Sequence, residues 1–97
     1  METLDISFDR RVVKSPDVLL QQIDGEAVLL HMARGEYFGL NESGTTMWQA
    51  LIESRSIEVA YERLAAEFGV DPNQLKEDLT KLVQELKTNG LIRLDTA

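Results

Sequence analysis

The spacing of apolar residues changes once along the chain, at about Asn41. Before that residue, short apolar runs are separated by turn residues, and after it apolar side chains recur every three or four positions. The first pattern is typical of β-strands and the second of amphipathic helices. The sequence therefore predicts an α+β domain in which the strands come before the helices.

Three apolar runs separated by turns predict an antiparallel β-meander. The runs are VLLQQI, EAVLLHM and YFGL, at residues 18–23, 26–32 and 37–40. Asp24 and Gly25 separate the first two runs, and an Asp-Gly pair favours a tight two-residue hairpin turn. Gly35 marks the second turn, because glycine takes a positive φ without steric penalty. The third strand leads directly into the first helix.

Ahead of the meander, Leu4, Ile6 and Phe8 alternate with polar neighbours. Such alternation either adds a loosely held strand or lets the segment pack onto the core. We therefore treat residues 1–12 as an extension of a single domain spanning residues 1–97, a length that suits one hydrophobic core.

Two helices are predicted from the residues at their ends. Asn41 and Ser43 can each accept a hydrogen bond at the start of the first helix, which ends near residues 53–55. Ser56 is the candidate N-cap of the second helix, and Gly69 closes it. The predicted core stripes are Met47, Trp48, Leu51 and Ile52 in the first helix, and Ile57, Ala60, Tyr61, Leu64, Ala65 and Phe68 in the second.

A third, longer helix is predicted to start within DPNQ, at residues 71–74. This segment offers an N-cap, a proline at the first helical position and a glutamine three residues after the cap, as in a capping box. Asn89 and Gly90 end the helix before a short strand at residues 91–94. The predicted core stripe is Leu75, Leu79, Leu82 and Leu86.

Composition and net charge limit the expected location and partners of the protein. The chain has no cysteine, no segment of the length of a signal peptide's apolar core and no run of about 20 apolar residues, so we expect a cytoplasmic protein without a membrane span. Its formal net charge is −7 at pH 7. A surface of this sign repels the phosphate backbone, and we therefore expect no nucleic-acid partner.

Few residues are of the kinds that catalyse reactions. His31, the single histidine, lies on a predicted strand, and the carboxylates form no calcium-loop pattern. The six glycines stand singly at turns and helix ends, so no phosphate-binding loop is indicated. Ser43, Thr45 and Thr46 are explained by capping at a helix start. We therefore expect a protein that is not an enzyme and carries no cofactor or metal.

Several segments between residues 13 and 94 together resemble the PqqD-like family of precursor-recognition domains. The segments are SPDVLLQQIDGEAVLLHMARGEYFGLNESG, MWQALIE, VDPNQL and LKTNGLI. The resemblance implies a winged-helix-like fold, with a three-stranded meander followed by three helices. It also implies binding of the leader peptide of a ribosomally synthesised, enzymatically modified peptide, and the segments look most like the stand-alone domains of lasso-peptide and related pathways.

The last strand of the meander is the candidate binding site. An edge strand carries unpaired N–H and C=O groups, to which an extended peptide can add as another strand. The resemblance implies that a leader peptide lies antiparallel along this strand, in a groove whose other wall is the third helix. The candidate peptide-binding residues are Glu36, Tyr37, Phe38, Gly39 and Leu40 on the strand and Lys76, Thr80, Val83 and Lys87 on the helix.

Strand alternation turns Tyr37 and Gly39 to one face and Phe38 and Leu40 to the other. Because Leu40 adjoins the helix cap, we predict that it faces the core with Phe38, and that Tyr37 points away from the helices. Which pair lines the groove stays open. On the third helix, Val83 is predicted to be the apolar floor of the groove.

The resemblance also implies a maturation enzyme as a second partner, such as a leader peptidase, a cyclase or a radical enzyme. Two alternatives remain. A winged-helix-like fold is common among DNA-binding regulators, although fold alone does not fix function. An exposed edge strand can also pair with a second copy of the chain, which would make the protein a structural module or a homodimer.

Overall fold

The computed structural model describes residues 6–96. Five strands and three helices are found in this part of the chain. In chain order they are β1 (Arg10–Lys14), β2 (Val18–Ile23), β3 (Glu26–His31), β4 (Glu36–Leu40), α1 (Glu42–Glu53), α2 (Ile57–Phe68), α3 (Pro72–Thr88) and β5 (Ile92–Thr96). The predicted α+β class, with a three-stranded meander before three helices, is confirmed.

The meander forms as the turn residues predict. β2, β3 and β4 pair antiparallel in that order, with Leu20 opposite Leu29 and Leu29 opposite Phe38. At the first turn Asp24 and Gly25 both have positive φ, 52° and 82°, as a type I′ hairpin requires. Gly35, with φ of 65°, supports the second turn.

A second sheet joins the two ends of the described chain. β1 pairs antiparallel with β5, placing Val12 opposite Leu94, and the Arg10 side chain donates to the carbonyl oxygens of Leu94 and Asp95. The apolar pattern of the sequence did not predict a strand at β1. Of the alternating residues before it, Ile6 and Phe8 pack against the core, which is the packing alternative, and Leu4 lies outside the described residues.

The helix ends follow their capping residues. Asn41 accepts a hydrogen bond from the Gly44 amide (2.8 Å), Ser56 one from the Val59 amide (3.1 Å), and Gly69 ends α2 with φ of 64°. Asp71 caps α3 through the Asn73 amide (3.1 Å). The capping-box prediction fails in its second half, because the Gln74 side-chain amide donates to Asp78 Oδ1 (2.9 Å), and within residues 6–96 the Gln74 side chain accepts no hydrogen bond from the Asp71 backbone amide.

The core lies between the inner face of the meander and the three helices. Its largest fully buried side chains come from both sheets and all three helices: Val12, Val18, Leu29, Leu51, Ile57, Leu64, Leu79, Val83, Leu86 and Leu91. The predicted core stripe of α3 is confirmed, since all four of its leucines are buried.

Candidate functional site

The β4 edge of the meander is open along its length. β4 pairs with β3 on one side, and no other strand within residues 6–96 pairs with it. The segment that could have covered this edge from the N-terminal side, β1, pairs with β5 instead. An extended segment can therefore reach the backbone of β4.

The Thr45 hydroxyl shows which backbone groups of β4 face that edge. It accepts a hydrogen bond from the Ala27 amide (2.9 Å) and donates to the Leu40 carbonyl (3.3 Å), so Ala27 and Leu40 turn their backbone groups toward each other. In an antiparallel pair the inward and outward positions alternate. The N–H and C=O groups of Tyr37 and Gly39 therefore point outward from β4, which gives the edge two donors and two acceptors.

The faces of β4 are as predicted from alternation. Leu40 is buried and Phe38 half-buried against the core, whereas the Tyr37 side chain is 78% exposed. Among residues 6–96, no heavy atom outside Gly39 and its chain neighbours lies within 4 Å of the position that a Cβ on Gly39 would occupy. The face of β4 that points away from the helices is thus uncovered at both Tyr37 and Gly39.

The opposite edge of the sheet, at β2, is less suited to hold a peptide. Leu20 and Gln22 point to the same face as Phe38 and Leu40, because they lie in the same cross-strand rows. Both are nevertheless exposed. A strand added at β2 would have no helix behind it, whereas one added at β4 lies next to the end of α3.

A cavity of about 240 Å³ lies between the start of β4 and the end of α3. We call it the β4 cavity. Its lining residues are His31, Glu36, Tyr37, Phe38, Asn89 and Leu91. Two features of the chain shape it: the turn between β3 and β4, and the last turn of α3.

Arg34 connects the β3–β4 turn to the end of α3. From the β3–β4 turn its guanidinium donates to the Asn89 carbonyl (3.0 Å), which would otherwise lack a partner at the helix end. Its Nε also lies 3.5 Å from a carboxylate oxygen of Glu36, in an exposed ion pair. The helix ends in a Schellman motif, in which the Leu91 amide donates to the Leu86 carbonyl (2.9 Å) and Gly90 has φ of 72°.

Of the predicted helix wall of the groove, Val83 alone needs correction. Val83 is not its floor, because its side chain is 0% exposed and belongs to the core. Lys76 and Thr80 line a different depression of about 570 Å³, together with Ile6 and Phe8. There the Lys76 ammonium lies 5.5 Å from the centroid of the Phe8 ring. Lys87 is exposed and lines neither cavity.

The predicted residues Lys76 and Thr80 lie on one flank of α3, and the N-terminal segment with Ile6 and Phe8 lies against that flank. The residue that borders the β4 cavity is Asn89, at the C-cap. Sequence reasoning used Asn89 only as a helix stop, and it missed His31, Arg34 and Leu91 as neighbours of β4.

The outer face of the meander is also apolar. Leu19, Leu30 and Tyr37 form one cross-strand row, with Val28 and Gln21 beside it, around a shallow depression of about 320 Å³. Leu19 is 53% exposed. Because side chains alternate along a strand, every second residue of a strand added at β4 would extend this face.

Together these features define a class of protein: a small α+β domain with an open sheet edge beside a cavity at a helix end. The family model described as Coenzyme PQQ synthesis protein D (PqqD) matches residues 26–92. This is more than half of the chain, and the chain belongs to the PqqD family. The resemblance stated from the sequence is confirmed.

Two solved structures share the fold. One, described as TbiB1 in complex with the TbiA(beta) leader peptide, is 33% identical with a TM-score of 0.77, over 84% of this chain and 94% of that chain. The other, described as lasso peptide synthetase B1 complexed with the leader peptide, is 29% identical with a TM-score of 0.77, over 86% of this chain and 98% of that chain. No curated protein matches the chain.

Two further findings concern residues 6–96. No helix in this range is both long and apolar enough to cross a bilayer. No group of three or more histidine, aspartate or glutamate side chains there is placed to hold a metal ion.

Proposed function

We propose that this protein captures the leader region of a ribosomally synthesised precursor peptide by strand addition at β4. The observation that carries the proposal is the open β4 edge, with the outward N–H and C=O groups of Tyr37 and Gly39. It is supported by the two similar structures, whose descriptions name a bound leader peptide. The leader would lie between β4 and the end of α3.

Backbone pairing alone does not explain useful affinity. Four hydrogen bonds at about 0.5–1.5 kcal/mol each give roughly 2–6 kcal/mol. Ordering a flexible peptide costs about 2–5 kcal/mol, which nearly cancels that gain. Side chains of the leader must therefore supply the net affinity, at about 1.5–3 kcal/mol for each buried apolar anchor. We expect a Kd on the order of micromolar, which suits a carrier that releases its cargo.

We further propose that the protein is not itself an enzyme and presents the leader to a maturation enzyme, such as a leader peptidase, a cyclase or a radical enzyme. The name of one similar structure, a lasso peptide synthetase B1, supports a role within a multi-component synthetase. Incubating the precursor with this protein alone should leave the precursor mass unchanged. A change in mass would contradict the non-catalytic part of the proposal.

Substitution of Gly39 tests the strand-addition mechanism. Gly39→Pro removes an outward N–H and leaves the β3–β4 hydrogen bonds in place, because proline is tolerated where the missing donor faces solvent. We expect affinity for a synthetic leader peptide of a precursor encoded in the same genome to fall about tenfold or more, from the lost bond and the obstructing ring. Isothermal titration calorimetry measures this affinity, and circular dichroism measures the retained fold.

Gly39→Ala is the matched control. A Cβ at this position meets open space, and alanine keeps the amide donor, so binding should change little. Equal binding by the proline variant and the wild type would show that the leader does not pair with β4. Equal loss in both variants would indicate that the outward face at Gly39, and not its amide, contacts the leader.

A further inference from the structure

His31 is a buried histidine with an unusual environment. It is 8% exposed, on the inner face of β3 in the same cross-strand row as Glu36. Its Nδ1 atom is buried and has no hydrogen-bond partner within residues 6–96. The ring also lines the β4 cavity. Nδ1 is therefore buried in the protein interior, and the ring borders the β4 cavity beside the proposed leader site.

The buried nitrogen determines where the ring proton lies. A neutral imidazole has one donor and one acceptor nitrogen. Orphaned buried N–H groups are rarer in proteins than under-satisfied acceptors, so a proton on Nδ1 is disfavoured. In the neutral ring of His31 the proton is therefore on Nε2. This form presents a hydrogen-bond donor on the other side of the ring.

Gly90 keeps the space next to Nε2 open. A Cβ placed on Gly90 would lie 3.5 Å from His31 Nε2 and 2.9 Å from an Arg34 guanidinium nitrogen. A side chain at this position would thus clash with the Arg34 guanidinium and lie in van der Waals contact with His31 Nε2. The end of α3, the β3–β4 turn and the His31 ring converge at this point.

We propose that the β4 cavity is a hydrogen-bonding subsite, in which His31 Nε2–H donates to an oxygen on an inward-facing side chain of the leader peptide. This inference rests on the proposed function. A strand added at β4 turns alternate side chains to the face of Glu36 and Phe38, and both of these residues line the cavity. An apolar side chain there would bury the Nε2–H without a partner, which disfavours it.

The acceptor is a neutral hydroxyl or carboxamide and not a carboxylate. Glu36 lines the same cavity, and its carboxylate would repel a second negative charge. The nearest cation, Arg34, already contacts the Asn89 carbonyl and Glu36. The formal net charge of −7 also disfavours a carboxylate on the leader at this position. The cavity thus selects leaders with serine, threonine, tyrosine, asparagine or glutamine at one inward position.

His31→Phe tests the subsite, because it keeps a ring of similar size and removes both nitrogens. Since Nδ1 has no partner within the described residues, the variant should fold. Loss of one neutral hydrogen bond should weaken leader binding about three- to tenfold. Glu62→Gln, on the exposed face of α2, is the control variant and should bind as the wild type does. The probes are the same synthetic leader as above and the TbiA(beta) leader peptide.

A double-mutant cycle identifies the acceptor. Each hydroxyl, carboxamide or carboxylate residue of the leader is replaced by alanine, and each altered leader is titrated against the wild type and His31→Phe. One position should lose affinity with the wild type and lose none with the variant, since both changes remove the same bond. Nitrogen-15 spectra of the wild-type imidazole should show the proton on Nε2, and the Nε2–H signal should shift when the leader is added. Because these spectra are recorded on the wild-type protein, their result does not depend on the folding of His31→Phe.

The outcomes separate the two proposals. Undiminished binding by His31→Phe, together with an unmoved Nε2 signal at saturation, would overturn the subsite while leaving strand addition intact. Coupling only to an aspartate or glutamate of the leader would overturn the neutral acceptor. If neither leader binds the wild-type protein, both the function and the subsite are wrong.

Discussion

At the scale of single residues, the hydroxyl of Thr45 joins the first helix to the sheet. Thr45 is 4% exposed, and its hydroxyl lies between the Ala27 amide and the Leu40 carbonyl at the point where a ladder hydrogen bond would otherwise form. One side chain of α1 therefore satisfies two backbone groups of β3 and β4. This contact fixes the end of β4 against the helix that follows it.

Thr45→Val should destabilise the fold, because it keeps the shape and leaves two backbone groups without a partner. We expect the free energy of unfolding to fall by about 1–3 kcal/mol, measured by urea denaturation. Thr46→Val is the matched control: in the described part of the chain that hydroxyl donates only to the Glu42 carbonyl of its own helix, so its effect should stay within about 0.5 kcal/mol. Equal effects of the two substitutions would contradict the bridging role of Thr45.

The sequence indicates the residue types at this junction and not their contacts. Asn41 was predicted as a cap and is one, because capping depends on residues three apart. Thr45 was also explained by capping, but its partner Ala27 is 18 positions away. His31 gave no signal for the same reason, since its surroundings come from the β3–β4 turn and the end of α3. Long-range neighbours of a single residue cannot be derived from local pattern.

At the scale of elements, alternation along β4 separates two kinds of amide. The amides of Phe38 and Leu40 point to β3, and those of Tyr37 and Gly39 point to the open edge. The same rule applied to β2 turns the amides of Leu20 and Gln22 to the opposite edge. The two edges of the sheet can therefore be told apart, residue by residue.

Amide hydrogen exchange should show which edge the leader uses. In the free protein we expect fast exchange at Tyr37 and Gly39 and slow exchange at Phe38, because only inward amides are hydrogen-bonded. Adding the leader should slow amide exchange at Tyr37 and Gly39 and leave exchange at Leu20 and Gln22 fast, as followed by nitrogen-15 NMR. Protection at Leu20 and Gln22 with none at Tyr37 would place the peptide at the β2 edge instead.

Elements set by local signals were predicted well. The Asp24-Gly25 turn, the Ser56 cap and the Gly69 stop all have the roles that their residue types indicate. β1 was missed because its partner, β5, lies at the other end of the chain, and an isolated short apolar run does not show what it pairs with. On α3, only the predicted exposure of Val83 was wrong, because its side chain lies in the core. Helical spacing groups residues into flanks, but only tertiary packing shows which flank meets β4.

At the scale of the whole molecule, the analogy with winged-helix folds that the sequence suggests and the net charge point to different partners. A domain of this kind suggests DNA binding by analogy, yet fold alone does not determine the ligand. The net charge is −7, and α3 ends beside a β-edge with unpaired backbone groups. Recognition of a peptide through main-chain hydrogen bonds and pockets needs little charge, whereas binding to duplex DNA depends on releasing phosphate counterions.

Salt titrations should therefore distinguish the two partners. At about 50 mM NaCl we expect no binding of a duplex DNA fragment tighter than roughly 10⁻⁴ M, the weak limit of ordinary non-specific binding. The leader should bind with a Kd on the order of 10⁻⁶ M, and raising the salt to about 200 mM should weaken it far less than the 10³-fold or greater loss typical of DNA-binding proteins. Fluorescence anisotropy with labelled DNA and labelled leader measures both under the same conditions. DNA binding with a steep salt slope, together with no leader binding, would reverse the assignment, since net repulsion and an open edge would then have failed to predict the partner.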